Sequence, residues 1–411
     1  MGSPSTLLAR TAFACAFGAA CATLFSIAIS HLLLALALAL LLLSGAKLRF
    51  PPIWIPLALF VAGTLVSMFL SVDPASGRPQ LRKFYVFLTL LAIASTFRAL
   101  KQVRWLVLAW VGIALLSALR ALFQFAGKWS YARAAGRDFY SYYVGERISG
   151  FMSHWMTFSG QEMTVLLVGT ALLFWGRPRG WERTLLFIAL PVIFLAILLG
   201  FTRGIWLATF FAGLYLLWNW RRWAVAAVPA LLAVAIFFGP SSIRTRFESL
   251  LRPRGELDSN QHRIVTWRTG VEMIKAHPLT GLGPEQVKAQ FDKYVPPDIP
   301  RPLPEGWYGH LHNIYLHYAA ERGIPTMLAL MALLAKVLWD WIAALRKLLP
   351  GEPGAEQRWV LRGGIAMMIG ILVTGLFELN LGDSEVLMQT LTMIAMGYVA
   401  RDEALANVNA A

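Results

Sequence analysis

Long apolar runs alternate with short polar links along most of the chain. A helix needs about 20 mostly apolar residues to cross a membrane, and many of the runs approach that length. The expected spans are, in chain order, residues 12–30, 32–44, 51–70, 84–97, 106–125, 151–175, 185–199, 205–218, 224–238, 325–345, 364–377 and 386–399. The pattern therefore predicts an all-α polytopic membrane protein with about twelve transmembrane helices.

The first apolar block, residues 12–44, determines the topology expected for the start of the chain. His31 interrupts it, so we expect a hairpin of two spans with its turn near that residue. The beginning resembles a signal peptide, but the apolar block continues too far and a second span follows at once. We therefore expect an anchor that is retained.

One polar segment, residues 240–324, separates the ninth span from the tenth and is rich in Arg, His, Gly and Pro. It divides the chain into spans one to nine (1–239), a large loop (240–324), and spans ten to twelve with a short tail (325–411). Residues 259–276 have the pattern of an amphipathic helix. Its buried stripe contains Arg263, Trp267, Gly270 and Ile274, with Ile264 and Val271 at the edge and Arg268 elsewhere. The loop is therefore expected to be mainly helical.

Composition agrees with a membrane protein. Hydrophobic residues make up 57% of the chain and charged residues only 14%, whereas a soluble domain carries about 25% charged residues. Cys15 and Cys21 both lie in the first apolar block. They are expected to be packing residues, so cysteine usage does not indicate a redox compartment.

The net charge of +15 is large for so few charged residues. It has two explanations, the positive-inside bias of membrane topology and a site for an anionic substrate. Placing both termini in the cytoplasm puts most short basic links on the inner face. These inner cations are Lys47, Arg49, Arg98, Lys101, Arg104, Arg177, Arg179, Arg183, Arg221, Arg222, Arg346, Lys347 and Arg401. The exception is the link before the fourth span, which places Arg78, Arg82 and Lys83 outside.

Arg203 is the most informative of the outer cations. It occupies a link of about five residues between two spans, flanked by Gly200 and Gly204, so it must lie at or inside the interface. The functional interpretation competes with snorkelling to lipid headgroups. Arg147 lies at the start of the sixth span, where it either serves a site or pairs with Glu146.

Within the large loop, Arg263 is the cation that is a candidate site residue. A charge on the buried stripe of a helix is costly without an anionic partner. Several arginines that converge on one face are typical of phosphate and pyrophosphate sites, since the guanidinium matches phosphate oxygens. Arginines 244, 246, 252 and 254 are expected instead to form a solvated or headgroup-contacting patch.

Three histidines, His310, His312 and His317, lie close together where the chain returns to the membrane. Their spacing is poor for a metal site, so we expect none. His312 is the candidate general base, because it directly precedes a helix that begins at Asn313. The alternative is that His312 merely caps this helix.

Near the outer end of the eleventh span, Glu378 is the main acidic exception among these cations. With Asp383 and Glu385, it is expected either to line an acceptor site or to pair with an arginine.

Together these motifs resemble those of the bacterial O-antigen ligase superfamily, which also includes O-antigen polymerases and O-oligosaccharyltransferases. The residues that carry the resemblance are TRG at 202–204, RxxxWxxG at 263–270, HPLTGLG at 277–283, HNIYL at 312–316 and ERGIP at 321–325. Chain size and the single large loop look most like the lipopolysaccharide O-antigen ligase.

The resemblance implies a GT-C-like glycosyltransferase that inverts the sugar linkage and needs no metal or cofactor. Its donor would be O-antigen polysaccharide on undecaprenyl pyrophosphate, and its acceptor a sugar hydroxyl of lipid A–core. The enzyme would be a multi-pass protein of the cell inner membrane with its active site on the periplasmic face, and no nucleic acid would take part.

The resemblance also implies roles for individual residues. His312 would deprotonate or orient the acceptor hydroxyl, with Arg263 beside it as a second catalytic residue. Arg203 and Arg263 would hold the pyrophosphate. Arg147 is added to them on topology and charge alone. Four residues are expected to surround and support this group: Asn313, Tyr315, His310 and Trp267.

Other functions remain open on the sequence alone. A polymerase uses the same donor, and nothing in the chain excludes it. A protein O-oligosaccharyltransferase often carries a longer outer domain than this one. A transporter or flippase would explain twelve spans but predicts ionisable residues near mid-membrane, whereas the informative cations here gather at one rim.

Overall fold

The structure of the protein, a computed structural model, describes residues 4–229, 259–348, 351 and 354–409. Regular structure in these residues is helical throughout, without a strand. The predicted ninth span is helical from residue 224 to 229, and its remainder lies outside the described residues. So do the four arginines of the predicted patch at 244–254.

The helices follow the apolar runs closely. In chain order they are α1 (Pro4–Ala22), α2 (Ile27–Leu43), α3 (Trp54–Phe69), α4 (Arg78–Thr96), α5 (Leu100–Ala134), α6 (Phe139–Gly145), α7 (Trp155–Trp175), α8 (Trp181–Leu199), α9 (Arg203–Trp220), α10 (Ser259–Ala276), α11 (Gln286–Tyr294), α12 (Ile314–Lys347), α13 (Arg358–Thr374) and α14 (Ser384–Asn409).

The first block forms a hairpin, but its turn is not at His31. The chain turns at residues 23–26, where Ser26 caps α2 by accepting a hydrogen bond from the backbone N–H of Ile29. His31 lies inside α2, with its ring against Tyr85. A serine can satisfy an exposed N–H at a helix start, and this capping chemistry decides the position of the turn.

Residues 128–149 lie between the predicted fifth and sixth spans, where the polar pattern predicts a loop, but they are largely helical. α5 continues to Ala134, and α6 follows after a short turn capped by Asp138. Because of the polar residues in this region, the sequence pattern predicts an end of the fifth helix that is too early. Polarity marks the end of an apolar run but not the end of a helix.

Among the described residues, four helices are long and apolar enough to cross a membrane, namely α5, α7, α8 and α12. Shorter apolar helices lie at residues 6–22, 27–43 and 54–69. These features fit a multi-pass membrane protein. The number of about twelve spans and the placement of the loop stay predictions.

The packing of α13 determines where the candidate site forms. α13 packs against both α7 and α9, while α12 packs on α3 and α14 on α4. The segment that joins α13 to α14, residues 375–383, is thereby brought against the first residues of α7, α9 and α12. The backbone N–H of Ile314, for example, donates to the carbonyl of Gly375 at 2.7 Å.

The polar segment has a small core of its own. α10 and α11 bury Met273, Val287 and Phe291 against Leu311 and neighbouring side chains. The helix predicted to begin at Asn313 starts there, with Asn313 as its N-cap, and a break in it occurs before Pro325. The break is a kink at Gly323, where φ is 80° and ψ is 160° within α12.

Candidate active site

Glu378 lies at the centre of the candidate site, in the segment between α13 and α14. This residue is 4% exposed. Nη2 of Arg263 donates to Oε1 at 2.6 Å, and Nδ1 of His312 lies 3.2 Å from Oε2. One buried carboxylate therefore joins two residues that were predicted to be catalytic. Of the two roles expected for Glu378, pairing with an arginine is confirmed.

The contact with Glu378 determines which nitrogen of His312 carries the proton. An ionised carboxylate can only accept hydrogen bonds, so Nδ1 of His312 must donate to it. In the neutral imidazole, Nε2 is then the acceptor nitrogen. The geometry is that of a histidine oriented by a carboxylate, with the opposite nitrogen able to accept a proton.

The backbone around His312 explains this position. His312 has φ = 47°, in the left-handed region, which costs a residue other than glycine roughly 1–3 kcal/mol. Asn313 follows as the N-cap of α12. Its Oδ1 accepts from the N–H of Leu316 at 2.9 Å, and its Nδ2 donates to the carbonyl of Leu376 at 3.1 Å. These contacts tie His312 to the segment that carries Glu378. The cap is Asn313, so the capping alternative for His312 is wrong.

Arg263 reaches the site from α10. The predicted stripe is confirmed in outline: Gly270 packs against Leu311, and Trp267 lies 6.5 Å from the ring of Phe377. Arg268 points elsewhere, as expected, and forms an exposed pair with Asp298. Ile264 and Val271 were expected at the edge of the stripe, but they are exposed. The exposed face of α10 is therefore wider than the hydrophobic periodicity predicted.

The charge on Glu378 is stabilised by its partners. Burial by itself raises the pKa of this carboxyl, but the hydrogen bond from His312 and the charge of Arg263 outweigh it and hold the pKa below its usual value. Glu378 is therefore ionised at neutral pH. A buried carboxylate of this kind depends on its partners, since an uncompensated buried charge is strongly destabilising.

Two further histidine rings surround His312. The ring of His310 lies 4.2 Å away and that of His262 lies 5.3 Å away. Burial is the main cause that lowers the pKa of His262 to about 4 and that of His310 to about 2. Both rings are neutral at neutral pH. Within the residues that the structure describes, no group of three or more His, Cys, Asp or Glu side chains could hold a metal ion.

Arg147 joins the edge of this group through two aromatic rings. Its guanidinium lies 5.1 Å from the ring of Trp155, which stacks on His154 at 4.2 Å. Glu146 does not pair with Arg147. It lies 3.2 Å from Lys128 instead, so the pairing alternative for Arg147 is wrong.

His154 links this edge to the centre of the site. Its ring interacts electrostatically with the carboxylates of Asp383 and Glu378. Asp383 in turn accepts a hydrogen bond from the hydroxyl of Thr157 at 2.7 Å. The start of α7 and the end of the 375–383 segment therefore face each other beside Glu378.

Arg203 begins α9 and is 7% exposed. Such burial excludes the alternative in which the side chain extends to lipid headgroups. Gly204 lies directly against Phe377, because a Cβ there would be 3.2 Å from that of Phe377. Arg203 is therefore next to the segment that carries Glu378.

The four residues expected to support the site occupy different positions. Asn313, His310 and Trp267 pack around His312 and the 375–378 segment, as described above. Tyr315 points further along α13, where its hydroxyl donates to the carbonyl of Leu372 at 2.8 Å. It anchors α12 to α13.

Sequence reasoning missed His262 and His154. His262 directly precedes Arg263 in α10, and His154 directly precedes Trp155 at the start of α7. His262 was visible as a polar residue beside Arg263, which had been singled out, whereas no residue next to His154 had been. Without the fold, nothing related either residue to His312.

The fold and the site together define a class: a helical, multi-pass membrane protein with a buried Arg–Glu–His centre. Residues 187–331 match the family model described as Wzy_C, O-Antigen ligase. This match supports the O-antigen ligase superfamily and so confirms the predicted resemblance. No curated protein matches the chain.

The matched segment contains Arg203, Arg263 and His312 but neither Arg147 nor Glu378. Members of the family are glycosyltransferase-like enzymes, ligases and polymerases, which act on lipid-linked polysaccharides. The match therefore supports an enzymatic role in general terms.

Proposed function

We propose that the protein is an O-antigen ligase. It transfers O-antigen polysaccharide from undecaprenyl pyrophosphate to a sugar hydroxyl of lipid A–core, at the periplasmic face of the inner membrane, with both termini in the cytoplasm. The observation that carries the proposal is the contact of Glu378 with both Arg263 and His312. It combines a candidate base with a candidate phosphate-binding cation in one buried group, as this reaction requires.

In the proposed reaction, His312 acts as general base through Nε2. It removes the proton of the acceptor hydroxyl while the hydroxyl oxygen attacks the anomeric carbon of the donor sugar. The new glycosidic bond forms as the bond between that carbon and the pyrophosphate oxygen breaks, and the configuration inverts. Glu378 holds His312 in the required tautomer and stabilises the imidazolium that forms.

The pyrophosphate leaves with negative charge that must be stabilised. We assign this role to Arg203 and Arg263, with Arg147 at the edge. Because a guanidinium carries several N–H donors in a fixed plane, one arginine can contact a carboxylate and a phosphate together. The contact between Arg263 and Glu378 is thus compatible with donor binding. The arginines supply the positive charge, so the mechanism requires no metal or cofactor.

Reconstitution tests this proposal. The purified protein is placed in liposomes with undecaprenyl-pyrophosphate-linked O-antigen and lipid A–core, without nucleotide. We expect lipopolysaccharide carrying O-antigen to form with the wild type and to be lost with His312→Ala, while His277→Ala, a change at an exposed histidine of the same segment, retains activity.

Other products would overturn the proposal. Longer donor chains without any product on lipid A would favour a polymerase. Transfer to Ser or Thr of a protein would favour an O-oligosaccharyltransferase, and movement of the donor across the bilayer without a covalent product would favour a transporter.

A further inference from the structure

A cavity of about 310 Å³ lies between the residues that precede α3, the end of α4 and the end of α14. We call it the Arg98 cavity. Its charged lining residues are Arg49, Arg98, Asp402 and Glu403, and the other residues that line it are aromatic or aliphatic. None of these four residues takes part in the proposed reaction, so the cavity requires its own explanation.

α14 separates this cavity from the Arg263–Glu378–His312 group. The helix begins at Ser384, directly after the 375–383 segment, and Asp402 lies 18 residues further along it. At about 1.5 Å per residue this is a distance of roughly 27 Å, close to the ~30 Å thickness of the hydrocarbon core of a bilayer. The cavity therefore lies at the opposite membrane interface, which is the cytoplasmic one in the expected topology.

Exposed tryptophans lie at the same end of the bundle. Trp54, the first residue of α3, is 63% exposed, and Trp105, near the start of α5, is 47% exposed. The ammonium of Lys101 lies 4.9 Å from the ring of Trp105. Tryptophan side chains are enriched at the level of the lipid headgroups. The cavity therefore lies at the depth where phospholipid headgroups are the most abundant ligand.

Arg49 and Arg98 form a positive wall of the cavity. The hydroxyl of Ser95 fixes the backbone of Arg49, because it accepts from the N–H at 2.8 Å and donates to the carbonyl at 3.1 Å. Among the described residues, no carboxylate forms an ion pair with either guanidinium, and Nη2 of Arg98 reaches only the carbonyl of Lys47, at 3.5 Å. Two neighbouring guanidinium groups without an anion are suited to bind a phosphate, whose oxygens match their N–H donors.

Asp402 and Glu403 form a negative wall on the last turns of α14. Oε2 of Glu403 accepts from the backbone N–H of Leu100 at 2.6 Å, and Oδ1 of Asp402 accepts from Nη2 of Arg401 at 2.7 Å. A carboxylate has two oxygens and about four acceptor positions, so both groups retain capacity to accept hydrogen bonds. This wall is suited to a cation that carries N–H donors.

The two walls do not pair with each other. All four charged side chains line one cavity, yet among the described residues no ion pair joins an arginine of the first wall to a carboxylate of the second. Their formal charges sum to zero. A ligand with one sign of charge would be attracted by one wall and repelled by the other. A ligand that carries a negative and a positive group complements both walls.

We propose that the Arg98 cavity binds the headgroup of a zwitterionic phospholipid with a primary ammonium, as in phosphatidylethanolamine. The phosphate lies between the guanidinium groups of Arg49 and Arg98, and the ammonium lies at Asp402 and Glu403. The volume of about 310 Å³ falls within the range of roughly 300–1,000 Å³ that is usual for small-molecule sites. Phe50, which lines the cavity and is 39% exposed, marks the side on which the acyl chains enter the membrane.

Native mass spectrometry of the purified full chain in detergent measures lipid binding. The probes are phosphatidylethanolamine and phosphatidylglycerol with identical acyl chains, because both carry the phosphate and only the first carries an ammonium. We expect the wild type to prefer phosphatidylethanolamine by about tenfold, which corresponds to ~1.4 kcal/mol. Equal binding of the two lipids, or a preference for phosphatidylglycerol, would overturn the proposal.

The two walls predict different losses. Arg49→Gln removes a phosphate contact that both lipids share, so it should weaken both by a similar factor, about tenfold. Glu403→Gln removes a charge that only the ammonium uses, so it should abolish the preference and leave the binding of phosphatidylglycerol at least as strong. The new amide can still accept from the N–H of Leu100. A preference retained in Glu403→Gln would overturn the proposal.

Matched controls lie at the same end of the bundle. Lys47→Gln removes an exposed cation two residues before Arg49, and Glu356→Gln removes an exposed carboxylate just before α13; neither residue lines the cavity. Both variants are expected to bind as the wild type does. Equal losses for Arg49→Gln and Lys47→Gln would mean general surface attraction and would overturn the proposal. Thermal unfolding without lipid checks each fold, and Arg98→Gln tests the positive wall if Arg49→Gln does not fold.

A soluble zwitterion is the other source of the same headgroup chemistry. Glycerophosphoethanolamine, which is the headgroup without acyl chains, is added at millimolar concentration to the lipid complex. We expect phosphatidylethanolamine to stay bound, because the acyl chains contribute to its affinity. Complete displacement would assign the cavity to a soluble ligand and would overturn the lipid assignment.

This inference does not depend on the ligase proposal, because the two sites lie at opposite ends of the bundle. His312→Ala, in which transfer is expected to be lost, should keep the wild-type preference for phosphatidylethanolamine. A preference lost in His312→Ala would mean that the lipid binds at the Arg263–Glu378–His312 group and would overturn the proposal.

Discussion

His312 and Glu378 are 66 residues apart in the chain, and Nδ1 of the first lies 3.2 Å from Oε2 of the second. The contact exists because the cap of α12 is bonded to the carbonyl of Leu376, two residues before Glu378. A base on one element is thus oriented by an acid on another.

The first prediction concerns the orienting role of Glu378. Glu378→Gln keeps the shape of the side chain but no longer stabilises an imidazolium or selects the tautomer of His312. We expect the rate of transfer to fall by about 10²–10⁴-fold, the usual contribution of general-base catalysis, with a smaller change in the KM for the donor.

Steady-state kinetics in the reconstituted assay measures this effect. Glu146→Gln, at an exposed glutamate paired with Lys128, serves as the control and is expected to be neutral. Wild-type turnover by Glu378→Gln would contradict the orienting role.

The second prediction concerns the stability that Arg263 provides. Arg263→Ala removes one of the two contacts of the Glu378 carboxylate described above. The carboxylate stays buried, and its contact with His312 remains. Breaking a buried pair destabilises a protein by about 3–5 kcal/mol. Arg268→Ala breaks an exposed pair on the same helix and should cost at most about 1 kcal/mol.

Thermal unfolding of both variants in the same detergent compares these costs. The double variant Arg263→Ala with Glu378→Gln is expected to recover part of the loss, because the uncompensated charge is then removed. No recovery would mean that Arg263 stabilises the fold by packing alone.

The third prediction is a pH dependence of stability caused by His262. Its pKa is about 4 in the folded protein, below the ordinary value of about 6.5. Between these values the unfolded chain binds more protons at this residue than the folded protein does, so stability falls as the pH is lowered from 6.5 towards 4.

His262→Gln should therefore show a weaker loss of thermal stability between pH 6.5 and 5 than the wild type. The stabilising charge of Glu378 is lost only at lower pH, since its pKa is held below the usual value. His277→Gln, at an exposed histidine, is expected to keep the wild-type slope. Identical slopes for wild type and His262→Gln would contradict the assignment.

The fourth prediction concerns the kink in α12. Gly323 has φ = 80°, and a Cβ there would lie 2.0 Å from the carbonyl oxygen of Leu279. Gly323→Ala is expected to destabilise the protein strongly, because both the backbone angle and the close approach require glycine. Gly112→Ala in α5 meets open space and should be neutral or stabilising by about 0.5–1 kcal/mol. Thermal unfolding distinguishes the two.

By itself, the sequence determined the helical class, most of the apolar helices, the buried stripe of Arg263 and the helix that starts after His312. These features depend on local periodicity, capping and composition, which residues close in the chain define. The apolar pattern placed the first turn near His31 and ended α5 too early. Both boundaries depend on backbone hydrogen bonds, which the polarity of the side chains indicates only indirectly.

Only the tertiary structure decided that Glu378 joins Arg263 to His312, that His262 and His154 belong to the same group, and that Arg98 and Glu403 line one cavity. Each of these contacts joins residues far apart in the chain through the packing of α13, α12 and α14. Neither periodicity nor spacing carries information about such distances, because the partner helix is selected by the packing of whole faces.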